Sequence, residues 1–271
     1  MKTENMLRLA VSSLTYEGFA NTKCETLFRD AYRDGYRNVE FNSWYADALT
    51  PERIRMLRTG CENSGLRPIA LHVAAFGGRT QEQIAWNTAH KLRAIEAAVE
   101  LGCRRVVASG TPDTDSLDAL IEELEQIAPC AEQEGVLICL ENHCQNILAV
   151  SGDYEKIFQA VISPAVGICL DGGHLEAAGE RIDDFIDRVG YRINHLHLKE
   201  NRVFGEKSFC RFGSGGTDQA HMIGRMKEIG YSGYMSVELS PEIGETGESI
   251  AFTDEDRTKA IRLYGCYEEM G

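Results

Sequence analysis

The chain has 271 residues, an ordinary apolar share of 43% and a formal net charge of −14. That acidity argues against a nucleic-acid partner, whose phosphate backbone calls for a basic face, although a global charge leaves a local basic cleft open. No apolar run is long enough to span a membrane, and MKTENMLRLA has no apolar core after its one basic residue, so neither a membrane segment nor a secretory signal is expected.

Taken in order, residues 7–14 read as a first strand. Asn21-Thr22 offers an N-cap, and CETLFRDAYRDG has helical spacing up to Gly35, a natural stop. YRNVEFNSW is a second strand, ending near Glu40 to Trp44. Thr50-Pro51-Glu52 starts a helix with proline at its first position, and Gly65 ends it. RPIALHVAAF is a third strand carrying His72; residues 80–101 are a long helix stopped by Gly102. RRVVASG is a fourth strand, followed by a helix over 113–134 that stops at Gly135. Four more strands follow, separated by helices over 153–160, 182–189 and 217–229, and a last helix spans 253–268.

The nine cysteines are odd in number, irregularly spaced and contain no CxxC pair. Reduced, mostly buried thiols in a cytoplasmic protein fit this better than a disulfide framework. No linker or composition break divides the chain, so residues 1–271 read as one domain. Strict alternation of eight strands with eight helices implies parallel strands and crossover helices, and eight units in this length are the size of an α/β (β/α)8 TIM barrel. A doubly wound open sheet would want a glycine-rich phosphate turn after an early strand, and SSLTYEG lacks that pattern.

The last four strands share one grammar. VLICLENH ends in Glu141, VGICLDGGH in Asp171 with His174 on the loop beyond, INHLHLKE carries His197, and YMSVELS ends in Glu238. A single carboxylate at a strand end is usually a cap or a salt-bridge partner. Three carboxylates brought together at strand tips repel one another and need a cation. In a barrel all strand C-termini meet on one face, so the four side chains converge. Three carboxylates and an imidazole suit a hard or borderline divalent ion such as Mn²⁺ or Mg²⁺ with open positions.

These stretches identify the chain as similar to the sugar phosphate isomerase/epimerase group of xylose isomerase-like TIM barrels. The carriers are LENH, LDGGH, HLHLKE, the FGSGGTD turn at 212–218, and GYMSVEL. The resemblance implies one divalent metal held by Glu141, Asp171, His197 and Glu238, Mn²⁺ first, with Mg²⁺, Co²⁺ or Zn²⁺ as alternatives. It also implies proton transfer by Glu141 and Glu238. Ile147 and Val203 stand where the family's epimerases carry a substrate-binding glutamate and arginine.

Other residues keep two readings each. His174 binds a substrate oxygen or the metal shell, or is an idle loop histidine. Lys199 shares the face of His197 and contacts substrate, or forms a structural ion pair. His72 and Trp44, at early strand ends, line the pocket or fill the core. His195 sits deeper and reads as a packed core histidine; His143 reads as a loop cap, and His90 and His221 lie on helices. The Gly213-Ser214-Gly215-Gly216 turn could bind phosphate at a helix start, but a tight capped loop is the preferred reading.

The leading function is a metal-dependent isomerase or epimerase of a small keto-sugar or polyol, working through a metal-bound enediolate with two glutamates as acid and base. The alternative is a lyase of the same fold, a keto-inositol dehydratase or a β-eliminating enzyme of keto-glycosides. Behind these stand an endonuclease IV-like metallonuclease, which would want histidines that ASGTPD lacks, and a non-catalytic sugar-binding barrel. The expected partner is a small molecule, not nucleic acid or membrane; assembly into a homo-oligomer is left open.

Overall fold

The computed structural model describes residues 7–18, 23–239 and 253–265. The first seven barrel strands are β1 (Arg8–Ser12), β2 (Asn38–Ser43), β3 (Arg67–Val73), β4 (Arg105–Ser109), β5 (Leu137–Glu141), β6 (Val166–Asp171) and β7 (Ile193–Leu198). A small antiparallel pair, β8 (Glu200–Asn201) with β9 (Phe209–Cys210), precedes the eighth barrel strand, β10 (Tyr234–Val237). The eight barrel strands are parallel, follow chain order around the ring, and close by pairing of β10 with β1. This is the (β/α)8 barrel that the alternation predicts.

The helices are α1 (Leu14–Glu17), α2 (Glu25–Asp34), α3 (Pro51–Ser64), α4 (Gln81–Leu101), α5 (Leu117–Glu134), α6 (Ser151–Ala160), α7 (Gly172–Ala177), α8 (Ile182–Val189), α9 (Gln219–Glu228) and α10 (Asp254–Tyr264). Their starts obey local chemistry. Thr50 accepts the Arg53 N–H at 3.3 Å with Pro51 at the first helical position, and Thr80 accepts the Gln83 N–H at 3.2 Å. The expected stop at Gly65 is a left-handed residue, φ 74°, a conformation glycine adopts without penalty.

Several details differ from the sequence reading. The helix expected from 113 begins at Leu117, because Ser116 caps it through the Asp118 N–H at 3.1 Å. The helix expected from 217 begins at Gln219, capped by Asp218 through the His221 N–H at 2.9 Å. The stretch expected to be a loop around His174 is helix α7 instead. The expected Asn21-Thr22 cap, Ser240 and residues 266–268 of the last helix lie outside the described residues.

Inside the ring, alternate residues of each strand face the axis. One level includes Ala10, Ala70, Val107, Cys139 and Cys169, an inner cluster distinct from the larger core between strands and helices. These side chains are small, and Glu40, His195 and Ser236 share the same interior. Two residues further along their strands come Ser109, Glu141, Asp171, His197 and Glu238, and pairing sets Ser109 beside Glu141 and Asp171 beside His197. The eight described cysteines are all free thiols. Among the described residues no helix is long and apolar enough to cross a membrane.

Candidate functional site

Glu141, Asp171, His197 and Glu238 come together, with one donor atom of each within 4.8 Å of the others. All four are buried. His197 Nδ1 lies 2.6 Å from Glu141 Oε1 and 3.5 Å from Glu238 Oε2. Asp171 is held through its flanks. Its backbone N–H donates to Asn142 Oδ1 at 2.8 Å, and its Oδ1 accepts the His174 N–H at 2.8 Å as the cap of α7. Asp171 Oδ2 is buried with no hydrogen-bond donor, facing the Lys199 ammonium at 3.3 Å.

That carboxylate oxygen, without a hydrogen bond and beside two further carboxylates and an imidazole, fits a divalent cation. The charges around the site agree with the geometry. Burial opposes ionisation of Glu141, but the His197 and His72 rings hold its carboxyl well below the usual range. Burial pushes Asp171 up, with Lys199 pulling the other way. Burial also holds His174 neutral, well below the ordinary histidine value.

The remaining expected residues surround the same point. His72 Nε2 is 3.4 Å from Glu141 Oε2, and its Nδ1 is 3.7 Å from Glu238 Oε1. Trp44 meets His72 edge-on, ring centroids 5.7 Å apart. Lys199 Nζ pairs with Glu238 Oε2 at 2.6 Å. A cavity of about 270 Å³ is lined by Trp44, His72, Glu141, His174, Lys199 and Glu238. Asp171 and His197 are fully buried beside it. A larger surface cleft of about 460 Å³, with Arg79, Trp86 and Asp115 in its wall, is lined by none of these groups, and the chemistry marks the smaller cavity instead.

The close approach of α7 explains the Gly-Gly pair before His174. A Cβ on Gly173 would stand 2.5 Å from the Lys199 carbonyl oxygen, so only glycine lets α7 pack there. The Gly213-Gly216 turn has its own occupant. The N–H groups of Gly213, Ser214 and Gly215 donate to the Glu200 carboxylate, at 2.8, 3.2 and 2.9 Å to Oε2. An internal anion fills the nest that a phosphate would use, in line with the preferred capped-loop reading.

Sequence reasoning passed over several residues here. Glu40 on β2 is fully buried; its Oε1 meets His197 Nε2 at 3.0 Å, and its Oε2 accepts from His195 at 2.7 Å and Ser236 at 3.1 Å. His195, expected as a core histidine, is therefore a hydrogen-bonded one. Ser109, Lys207 and Phe209 also line the cavity, as does His143, expected only as a loop cap. The signal for Glu40 was its parity: a carboxylate inside an apolar run, NVEF, on the face that points inward.

A family model described as a xylose isomerase-like TIM barrel matches residues 28–256. The chain is 28% identical over 158 residues to an uncharacterized protein of Methanocaldococcus jannaschii, 54% of each chain. It is 25% identical over 177 residues to mannonate dehydratase of Enterococcus faecalis, covering 60% of this chain and 46% of that one. The matches span about half the length of these two relatives. Inosose isomerase of Halalkalibacterium halodurans is 24% identical over 223 residues, 76% of this chain and 79% of that one. Among solved structures, a D-tagatose 3-epimerase-like protein superposes with a TM-score of 0.78 at 22% identity, over 96% of both chains. The IOLI protein, solved with a zinc atom, does so at 0.75 and 22%, over 97% of this chain and 100% of that one. At these identities the structural likenesses speak to the fold.

Proposed function

This chain belongs to the xylose isomerase-like TIM-barrel family, and we propose that it is a divalent-metal-dependent isomerase or epimerase of a small keto-sugar or polyol. The observation that carries this reading is the convergence of Glu141 and Glu238 on one small cavity, with His197 between them and an Asp171 oxygen without a hydrogen bond alongside. Glu141, Asp171, His197 and Glu238 would hold the cation, Mn²⁺ in the first instance. When bound, it would draw charge from adjacent carbonyl and hydroxyl oxygens of the substrate and so acidify the intervening C–H.

The chain's own residues then divide the work. Glu141 and Glu238 leave from strands three steps apart around the ring, so each can serve a different face of a flat enediolate. One takes the carbon-bound proton. Return to the opposite face of the same carbon is epimerisation; return to the neighbouring carbon is isomerisation. Lys199, already 2.6 Å from Glu238, positions that carboxylate and offers its ammonium to a substrate oxygen. His174, neutral at the cavity wall, donates or accepts a hydrogen bond from a hydroxyl. Trp44 supplies an apolar wall for a sugar's C–H face.

A lyase on the same residues is the second reading, with hydroxide or a glycosyl group leaving from the same enediolate. Ile147 and Val203 stand in place of the epimerase pattern's glutamate and arginine, which supports this second reading. The similarity to a mannonate dehydratase points the same way. A cytoplasmic setting accords with the buried free thiols.

The test is incubation in D₂O with a panel of ketoses, keto-inositols and keto-acids, read by NMR. Wild type should place deuterium on the carbon beside the carbonyl, and Glu141→Gln and Glu238→Gln should each lose on the order of 10²–10⁴-fold of that exchange while staying folded. Conversion without exchange, together with near-wild-type rates in both variants, would overturn the two-glutamate mechanism. A change in product mass would select the lyase.

A further inference from the structure

Beside the carboxylate-rich centre lies a second donor set of different chemistry. His143, Cys144 and His174 each present a nitrogen or sulfur, and these atoms lie within 4.8 Å of one another. Cys144 Sγ is 3.3 Å from His174 Nδ1, a spacing that two ligands of one tetrahedral ion adopt. His143 Nδ1–H donates to the Cys144 carbonyl at 3.0 Å, which leaves its Nε2 with a lone pair. The two imidazoles lie almost face to face, ring centroids 3.6 Å apart and 33° from parallel, so the half-exposed His143 ring must turn to share an ion with His174. Phe209 packs edge-on against His174 at 4.5 Å and fixes its ring. Cys144 and His174 are buried, so the set is held by the fold rather than gathered from mobile surface chains.

Access is open on two sides. His143 and His174 line the central cavity, and Cys144 lines a separate surface cleft of about 650 Å³. A cation can therefore enter from outside without crossing the carboxylate centre. The two centres meet at Asp171, whose Oδ1 caps the backbone N–H of His174, and through Asn142, which links Glu141 to His143 along the chain.

We propose that His143, Cys144 and His174 form a second metal site, selective for thiophilic ions such as Zn²⁺ or Co²⁺ and closed to Mn²⁺ and Mg²⁺. Two imidazoles and a thiolate are the donor types such ions prefer, whereas hard ions prefer the oxygen set of Glu141, Asp171 and Glu238. Binding exchanges the thiol proton for the metal: the S–H bond breaks, a sulfur–metal bond forms, and one proton leaves to solvent. Three protein ligands leave a fourth position for water. Occupation also withdraws His174 from the cavity wall, so thiophilic ions in excess should inhibit whatever reaction the cavity performs. The site stands independently of the isomerase reading, because its binding is read without turnover.

The experiment is a titration of metal-free, reduced, full-length protein with Co²⁺, followed by absorbance. Two equivalents should bind per chain, one of them bringing a sulfur-to-cobalt charge-transfer band in the near ultraviolet. Cys144→Ser should abolish the band and keep the other equivalent. His197→Ala should lose the other equivalent and keep the band. Prior Mn²⁺ should block the first event and leave the band intact. A thermal melt checks that each variant is folded, and Cys144→Ala repeats the measurement should the serine variant unfold. Absence of any sulfur band in wild type, or a band that survives both Cys144 variants, overturns the proposal. Loss of the carboxylate-centre equivalent alone would count against the carboxylate centre and leave this site standing.

Discussion

Glu40 Oε1 lies 3.0 Å from His197 Nε2, on the side of the ring away from Glu141 and Glu238. The two nitrogens of His197 are thus divided. Nε2–H donates into a buried carboxylate, so that Nδ1, which meets Glu141 at 2.6 Å, would be the nitrogen left to give its lone pair to a bound cation. A carboxylate behind a ligating histidine sets its tautomer and raises its basicity. Glu40 is itself fixed by His195 and Ser236, so the geometry is held from three strands. Glu40→Gln keeps the size and removes the charge. It should weaken Mn²⁺ binding by about 10–100-fold while the far-ultraviolet spectrum is unchanged. Competition with a chelating indicator measures this directly, and an unaltered affinity would leave Glu40 with a packing role alone.

Metal removal should lower stability by an amount that tracks ligand concentration. With free Mn²⁺ at about 100 times its dissociation constant, the folded state should gain about 2.7 kcal/mol. His197→Ala should lose that gain, since it removes the one nitrogen donor of the set. Melting with and without chelator, alongside elemental analysis of protein purified without chelator, reads both quantities. Stoichiometric metal retained by His197→Ala would place the ion elsewhere.

Gly173 should tolerate no side chain. The clash of a Cβ is with the Lys199 backbone, which cannot swing aside like the end of a flexible side chain. Gly173→Ala should therefore cost about 1–3 kcal/mol in denaturant unfolding and displace Lys199 and His174 together. Gly224, on α9, has open space around it, and Gly224→Ala is the control expected to be neutral or stabilising. Equal behaviour of the two variants would contradict the close approach of α7.

The barrel was legible because its signals are local and repeated: turn glycines, caps and short apolar runs in strict alternation. The carboxylate centre was legible because Glu141, Asp171, His197 and Glu238 each close such a run, and barrel geometry does the gathering. Glu40 was less so, because it lies within its strand, and its inward parity acquires a meaning only when His197 and His195, some 155 residues away, are seen to face it. His174 sits on α7 rather than on a loop because Asp171 caps its N–H, and the spacing Asp-x-x-His alone does not distinguish a short capped helix from a loop. The glycine turn carried no local sign that Glu200 would fill it, since that contact depends on how the β8–β9 pair folds back. The weakest sequence signals were thus those whose meaning lies in a partner on another element.

A buried lysine and a buried glutamate away from the carboxylate centre make a prediction in pH. Lys91 on α4 donates to the Ala75 carbonyl at 2.9 Å, and Glu123 on α5 accepts the Gly77 N–H at 3.0 Å. Both side chains are fully buried and together they grip the loop after β3. Burial pushes the Lys91 ammonium down to about 8, with Glu123 resisting, and pushes Glu123 up to about 7, with Lys91 resisting. The signs follow from linkage. A carboxyl raised in the folded state loses stability as pH climbs from its unfolded value to its folded one, then levels off. Wild type should level off near pH 7, where Glu123 ionises against Lys91. Lys91→Met removes that counter-charge, so Glu123 stays protonated in the folded chain to higher pH, and the fall continues. The variant should therefore lose about 1.4 kcal/mol relative to wild type for each pH unit above about 7. Above about 8 the gap should widen further, because wild type then gains stability as the depressed Lys91 sheds its proton in the folded state before the unfolded one. Urea midpoints at about pH 6, 7 and 8 measure the trend, and Lys91→Met with Glu123→Gln together should remove this contribution to it, since neither side chain of the two is left to titrate. A gap between Lys91→Met and wild type that stays constant across that range would show that the two side chains do not share charge, and that each grips the loop on its own.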